Sequence, residues 1–246
     1  MRRSFAVFAL LFGLQATLPA LAASDYAREK KWADELLPAV LVGDPVYLEQ
    51  ANGHRFLGLY TPVPNAKGAL VVVHGIGVHP DWGLIGMLRQ ELPEMGYATL
   101  SIQMPILAAD AKPAQYAPTF DEAAERLQRA VADLKAKGYR KIAIVSHSLG
   151  CRMTQHYLSR QAPAPVNAWV MLSMPGSEDL AGINLPIYDL YGEHDLPHVV
   201  GNAPQRAEAL RHKQSVQEKM SGADHFFAGR DARLRDGIRA YLDHNL

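Results

Sequence analysis

The chain has 246 residues, with 25 basic and 25 acidic side chains and a formal net charge of zero. It carries no Lys/Arg block, so nucleic acid and anionic membrane surfaces find no electrostatic footprint. Its one cysteine, Cys151, excludes an internal disulfide, and stability must rest on an apolar core that this length suffices to build.

The first segment reads as an address rather than as structure. Arg2 and Arg3 precede an apolar run from Phe5 to Leu14, and Ala20 and Ala22 form a small-residue cleavage site. That is the layout of a secretory signal peptide over residues 1–22. The run falls short of the ~20 apolar residues that a membrane span needs. The expectation is a periplasmic or secreted protein with no stable span after cleavage. Residues 23–246 are expected to form one domain, with two net negative charges once Arg2 and Arg3 are gone.

Ser24 to Leu41 reads as a polar helical lead-in. Val46–Glu49 and Phe56–Thr61 are strand-like and flank Asn52-Gly53, a strong hairpin signal. Ala69 to Val73 is continuously apolar and β-branched, as expected of a parallel strand buried on both faces. Leu84 to Leu92 has helical spacing, and Tyr97 to Gln103 is the next strand. Ile106 to Thr119 is read as a loop, with Tyr116 a candidate pocket wall. A helix over Phe120–Lys137 ends at Gly138. There follow a strand at Lys141–Val145, a helix at Leu149–Arg160 and strands at Ala168–Leu172 and Pro186–Tyr191. A helix at Ala203–His212, a strand at Val216–Met220 and a helix at Ala232–Leu242 complete the chain. This alternation predicts an α/β fold: a doubly wound, mostly parallel sheet with helices on both faces.

The most informative stretch is Val145-Ser146-His147-Ser148-Leu149-Gly150. A buried strand runs directly into a small-X-Ser-X-small turn and then a helix. Small residues two before and two after the serine let strand and helix pack closely at a strained tip. Gly150 fits this requirement. Ser146 replaces the usual first glycine but is still small. Ser148 is therefore the candidate nucleophile, although serine is also a favoured helix N-cap. The backbone N–H of Leu149 is a candidate oxyanion donor.

His74-Gly75-Ile76-Gly77 follows the Ala69–Val73 strand and offers a second backbone donor, from Ile76 or Gly77. His74 itself is read as structural. A serine hydroxyl needs a base. His225, in the Ser221–Phe227 loop after the last short strand, is the candidate. His156, His212 and His244 are placed on helices away from it. Asp195, in the Glu193-His194-Asp195 loop, is the candidate acid that orients the imidazole. Glu193, Asp189, Glu178 and Asp179 are alternatives. No dinucleotide fingerprint or phosphate loop is present, and no cofactor is expected. His194 and His198 have metal-like spacing, but Pro197 disfavours a helix displaying both, so they are read as loop histidines and no metal is expected. Trp82 is read as packing on the following helix rather than lining a pocket, and Cys151 as a small buried hydrophobe.

The HGIG turn, SHSLG elbow, YGEHD loop and GADHFF loop stand in the order that resembles the α/β-hydrolase superfamily, from about Val46 to the C-terminus. HGIGVHPDW, TLSIQMP and IVSHSLG are similar to a bacterial family of exported α/β-hydrolase-like proteins with no assigned substrate. The resemblance implies esterase, lipase, thioesterase or peptidase chemistry on a small-molecule or acyl-bearing substrate. It implies Ser148, Asp195 and His225 as a triad, with Ile76 and Leu149 as oxyanion donors. Leu172 and Pro186 stand only 14 positions apart, so no large lid is expected. The superfamily also contains non-enzymatic members. The rival expectation is a non-catalytic envelope binding or assembly module, supported only by Ser146 at the elbow.

Overall fold

The computed structural model describes residues 24–177 and 180–246. The signal-peptide reading of residues 1–22 falls outside them, as do Glu178 and Asp179. After helix α1 (Tyr26–Leu36), a single sheet takes in every strand among the described residues: β1 (Asp44–Glu49), β2 (Arg55–Thr61), β3 (Gly68–Val73), β4 (Tyr97–Ile102), β5 (Ile142–His147), β6 (Ala168–Leu172), β7 (Ile187–Gly192) and β8 (Val216–Met220). Their order is β1-β2-β4-β3-β5-β6-β7-β8. β1 and β2 pair antiparallel and β2 runs antiparallel to β4, while every pairing from β4 through β8 is parallel.

The continuous apolar runs lie where both faces are covered. Every residue of β3, β4, β5 and β6 is buried. The side chains of β3 and β5 alternate between two apolar layers. Val71, Val73, Ile142 and Ile144 meet α3 (Phe120–Ala136) and α4 (Leu149–Leu158) on one face. Leu70, Val72, Ala143 and Val145 meet α2 (Gly83–Glu91) and α7 (Asp231–Asn245) on the other. A two-residue period in the strands thus feeds two helical layers.

Strand order reverses at β3. The chain moves from β3 outward to β4, then returns to β5 on β3's other side. The carboxyl ends of β3 and β5 therefore flank a crevice, the place where open α/β sheets bind ligands. The turns after β3, β5, β6, β7 and β8 all gather along this edge.

Three local expectations are corrected. The Ile106–Thr119 segment is not all loop: Pro113–Thr119 forms a 3₁₀ helix. A short helix α5 (Pro197–Gly201) precedes α6 (Ala203–Ala209), which stops before His212. Pro197 opens α5 at its first turn, where a missing N–H costs nothing. His198 is thus helical, not a loop residue. Between β6 and β7 the described residues hold one 3₁₀ turn, Leu180–Gly182, and no large lid. No described helix is long and apolar enough to cross a membrane.

Candidate active site

Ser148 joins β5 to α4 with φ 53° and ψ −123°. A side chain in this positive-φ region is strained, by roughly 1–3 kcal/mol, so the neighbours must hold it there. They do so on several sides. The Ser148 N–H donates to the Leu172 carbonyl at 2.9 Å, tying the elbow to β6. A Cβ on Gly150 would collide with the His74 carbonyl oxygen and lie 3.0 Å from Val73 Cγ1, so only glycine lets α4 start this close to β3. Ser146 has a positive role of its own. Its buried Oγ accepts the indole N–H of fully buried Trp169 at 2.7 Å. Glycine at this position would leave that donor without its acceptor.

The Ser148 hydroxyl makes no helix-capping bond. It lies 3.0 Å from His225 Nε2, and His225 Nδ1 lies 2.6 Å from Asp195 Oδ1. A carboxylate only accepts, so Nδ1 carries the proton and Nε2 is left to accept from the serine. Asp195 also accepts from Ser173 Oγ at 2.5 Å, Leu196 N–H at 2.7 Å and, more weakly, Gly192 N–H at 3.3 Å. Burial alone would raise the Asp195 pKa. The hydrogen bonds from His225 and Ser173, the electrostatic attraction between the carboxylate and the His225 ring and the Leu196 N–H outweigh it and hold the carboxyl below its ordinary value.

The other carboxylates of these loops are committed elsewhere. Asp189 is fully buried and ion-paired with Arg206 at 2.8 Å. Glu193 is exposed and accepts from Ser221 Oγ and Gly222 N–H, each at 2.8 Å. His156 turns away from the elbow, to Asp121 at 2.6 Å.

Two residues that sequence reasoning did not single out clamp this arrangement. His147 donates from Nε2 to the His225 carbonyl at 2.9 Å, and the two rings lie 4.8 Å apart. Desolvation pushes its pKa down to about 4, so it stays neutral. Ser173, at φ 55° just past β6, has its hydroxyl between Asp195 and the His225 carbonyl, which lies 3.3 Å away. Their signal was positional only: each sits at a strand's carboxyl end beside another site loop.

His74 fixes the remaining wall. Its Nδ1–H donates to the Gly75 carbonyl at 2.8 Å, and Nε2 accepts the Met104 N–H at 2.9 Å. Full burial lowers its pKa to about 3 and keeps the ring neutral. In a trans peptide, C=O and N–H point oppositely. Pinning the Gly75 carbonyl toward His74 therefore directs the Ile76 N–H away from it. Gly75 lets this turn approach the elbow closely, since a Cβ there would sit 3.3 Å from both Ser148 Cβ and His147 Nδ1. Leu149 is the first residue of α4, where a backbone N–H has no intrahelical acceptor. Ile76, Leu149, Ser148 and His225 all border one cleft of about 290 Å³.

Two expectations about the walls are corrected. Tyr116 is buried and accepts the Leu107 N–H, while Pro113 lines the cleft instead. Trp82 is 38% exposed and borders a second hollow beside Ser148, because Phe226 from the His225 loop meets it edge-on. Cys151 is fully buried, with its thiol pushed up to about 12 by desolvation. Among the described residues no group of three or more His, Cys, Asp or Glu is arranged to hold a metal ion.

A family model described as a protein of unknown function (DUF3530) matches residues 15–125, a stretch that includes His74 to Gly77 and ends before Ser148. Comparison with curated proteins by sequence finds no match. Solved structures resemble the chain over most of its length. A dienelactone hydrolase from Anabaena variabilis is 18% identical at TM-score 0.69, with 82% of this chain and 97% of that one covered. An esterase described as cold-adapted, from an Arctic intertidal metagenomic library, is 16% identical at TM-score 0.66, with coverage of 82% and 93%. A protein of unknown function from Agrobacterium tumefaciens, described as a putative α/β hydrolase, is 17% identical at TM-score 0.64, with coverage of 82% and 95%. The chain has the fold that these structures share.

Proposed function

We infer that this chain, with its α/β-hydrolase fold, is a serine hydrolase that cleaves an ester or related acyl bond through an acyl-enzyme. The observation that carries this reading is the continuous relay from Ser148 Oγ to His225 Nε2, 3.0 Å, and from His225 Nδ1 to Asp195 Oδ1, 2.6 Å, at a serine held in a strained backbone conformation.

Ser148 Oγ attacks the acyl carbon while its proton passes to His225 Nε2. Asp195 stabilises the imidazolium that forms and does not itself take the proton. The carbonyl oxygen becomes an oxyanion between the Ile76 and Leu149 N–H groups, at the positive end of α4. Ile76 suits this role better than Gly77 because it borders the cleft and its peptide is pinned by His74. As the tetrahedral adduct collapses, the bond to the leaving oxygen breaks and His225 returns the proton to it. Water, deprotonated by His225, then attacks the acyl-enzyme and releases the acid. With residues 1–22 read as a leader, the reaction takes place in the periplasm or outside the cell.

Treatment with a fluorophosphonate probe tests the reading. Wild type is expected to gain one adduct, mapped to Ser148 by peptide mass spectrometry, and Ser148→Ala none. A folded wild-type protein that stays unlabelled and turns over no ester leaves the non-catalytic binding module as the answer.

A further inference from the structure

We propose that the substrate is a small neutral ester apolar on both sides of the scissile bond, its two halves seated in separate clefts that Leu196 and Trp82 respectively size. This rests on the serine-hydrolase reading above.

Two hollows meet at Ser148. One hollow, of about 290 Å³, extends from the serine toward Pro113, Pro175, Leu196 and His198. The other, of about 230 Å³, extends toward Val78, Trp82 and His147. Ile76, Ser148, His225 and Phe226 border both, so the reacting atoms sit where the two meet. An acyl compound bound at Ser148 must place a group on each side of its carbonyl carbon, and two hollows sharing the nucleophile provide for that.

The chemistry of the walls selects the groups. None of the residues that line either hollow is Lys, Arg, Asp or Glu. The polar side chains are Ser148, His225, His147 and His198. The first two belong to the reaction, and His147 is already bonded to the His225 carbonyl. Of six large apolar side chains left exposed among the described residues, three surround this crevice: Trp82, Leu196 and Phe226. Trp82 and Phe226 meet edge-to-face at 5.5 Å, so the second hollow has an aromatic wall built from two separate loops. A charged substituent in either hollow loses hydration and gains no partner of opposite fixed charge. Both volumes lie below the roughly 300–1,000 Å³ typical of ligand pockets, a size that suits a short chain or a single ring in each.

The test uses two ester series followed by acid release. One holds the alcohol as methanol and varies the acyl group from acetyl to hexanoyl and benzoyl. The other holds the acyl group as acetyl and varies the alcohol from methyl to hexyl and benzyl. Each includes a member ending in a carboxylate and one ending in trimethylammonium. Fluorophosphonate labelling is run in parallel, and thermal melts confirm folding. The expectation is a kcat/KM at least about tenfold lower for each charged member than for its neutral counterpart. Leu196→Ala is expected to shift the preference within one series and Trp82→Ala within the other. Both side chains are exposed, so neither truncation opens the core. Labelling of Ser148 with equal turnover of charged and neutral esters overturns the proposal alone, as does faster turnover of the carboxylate, which would assign His198 to an anionic group. So does a shift by both variants in the same series, or by neither. Absence of labelling and of all turnover removes the enzymatic reading and this proposal together.

Discussion

Replacing Asp195 by Asn separates the charge of the proposed triad acid from its geometry, because the surroundings dictate which way the amide turns. The Oδ1 position faces two donors, His225 Nδ1–H at 2.6 Å and Leu196 N–H at 2.7 Å. The Oδ2 position faces the Ser173 hydroxyl, which can rotate and accept, and a long contact of 3.3 Å from Gly192 N–H. The amide nitrogen therefore takes the Oδ2 side. The displaced Ser173 proton still has an acceptor, the His225 carbonyl at 3.3 Å. His225 keeps its Nδ1–H tautomer, and only the negative charge is lost. For unit charges ~4 Å apart at an effective dielectric of ~20, that charge stabilises the transient imidazolium by ~4 kcal/mol. The expected fall in kcat is therefore about 10³-fold, with fluorophosphonate labelling slowed rather than abolished. Stopped ester assays give the rate, and ¹⁵N NMR of His225 reports which ring nitrogen holds the proton. A kcat within about tenfold of wild type refutes the electrostatic argument. An Nε2–H tautomer refutes the assignment of the amide.

Ser146→Ala is expected to destabilise the fold by about 1–3 kcal/mol, since the buried Trp169 N–H loses its acceptor, while Ser148 still labels; urea titration measures the loss. Gly150→Ala places a methyl against the His74 carbonyl and Val73, and is expected to abolish soluble folded protein or cost at least about 3 kcal/mol, read from yield and chemical denaturation. Acid should weaken the fold well above the pH that protonates ordinary carboxylates. His74 and His147 are buried neutral with pKa lowered to about 3 and about 4. Between those values and the unfolded value near 6.5, the unfolded chain binds more protons, so stability falls as pH falls. Each histidine should remove about 2 kcal/mol between pH 7 and pH 5, and Asp195, whose pKa is lowered, adds to the loss at lower pH. Denaturant midpoints at the two pH values check this, and equal midpoints would refute it.

The order of residues along the chain is enough to place the sheet's interior and the local shape of the elbow. Runs such as Ala69–Val73 and Ile142–Val145 suit a strand between two covered faces, because each residue is apolar regardless of the side on which it points. The Ser146–Gly150 turn is equally legible, since strand, small residues and helix are neighbours along the chain and their steric requirement is local. The competition among carboxylates was open to a different degree. Asp189, Glu193 and Asp195 lie within seven positions, and only the tertiary partners separate them: Arg206 takes the first, the Ser221 turn the second and His225 the third. His147, Ser173 and Trp82 were obscure for the same reason. Each acts on a residue that folding brings from more than fifty positions away, to His225 or Phe226. Periodicity and turn chemistry act over a few residues and are written in the chain. The partner of a buried hydrogen bond, or the far wall of a cleft, is chosen by how strands β5 to β8 align their carboxyl ends, and that alignment exists only once the sheet has formed.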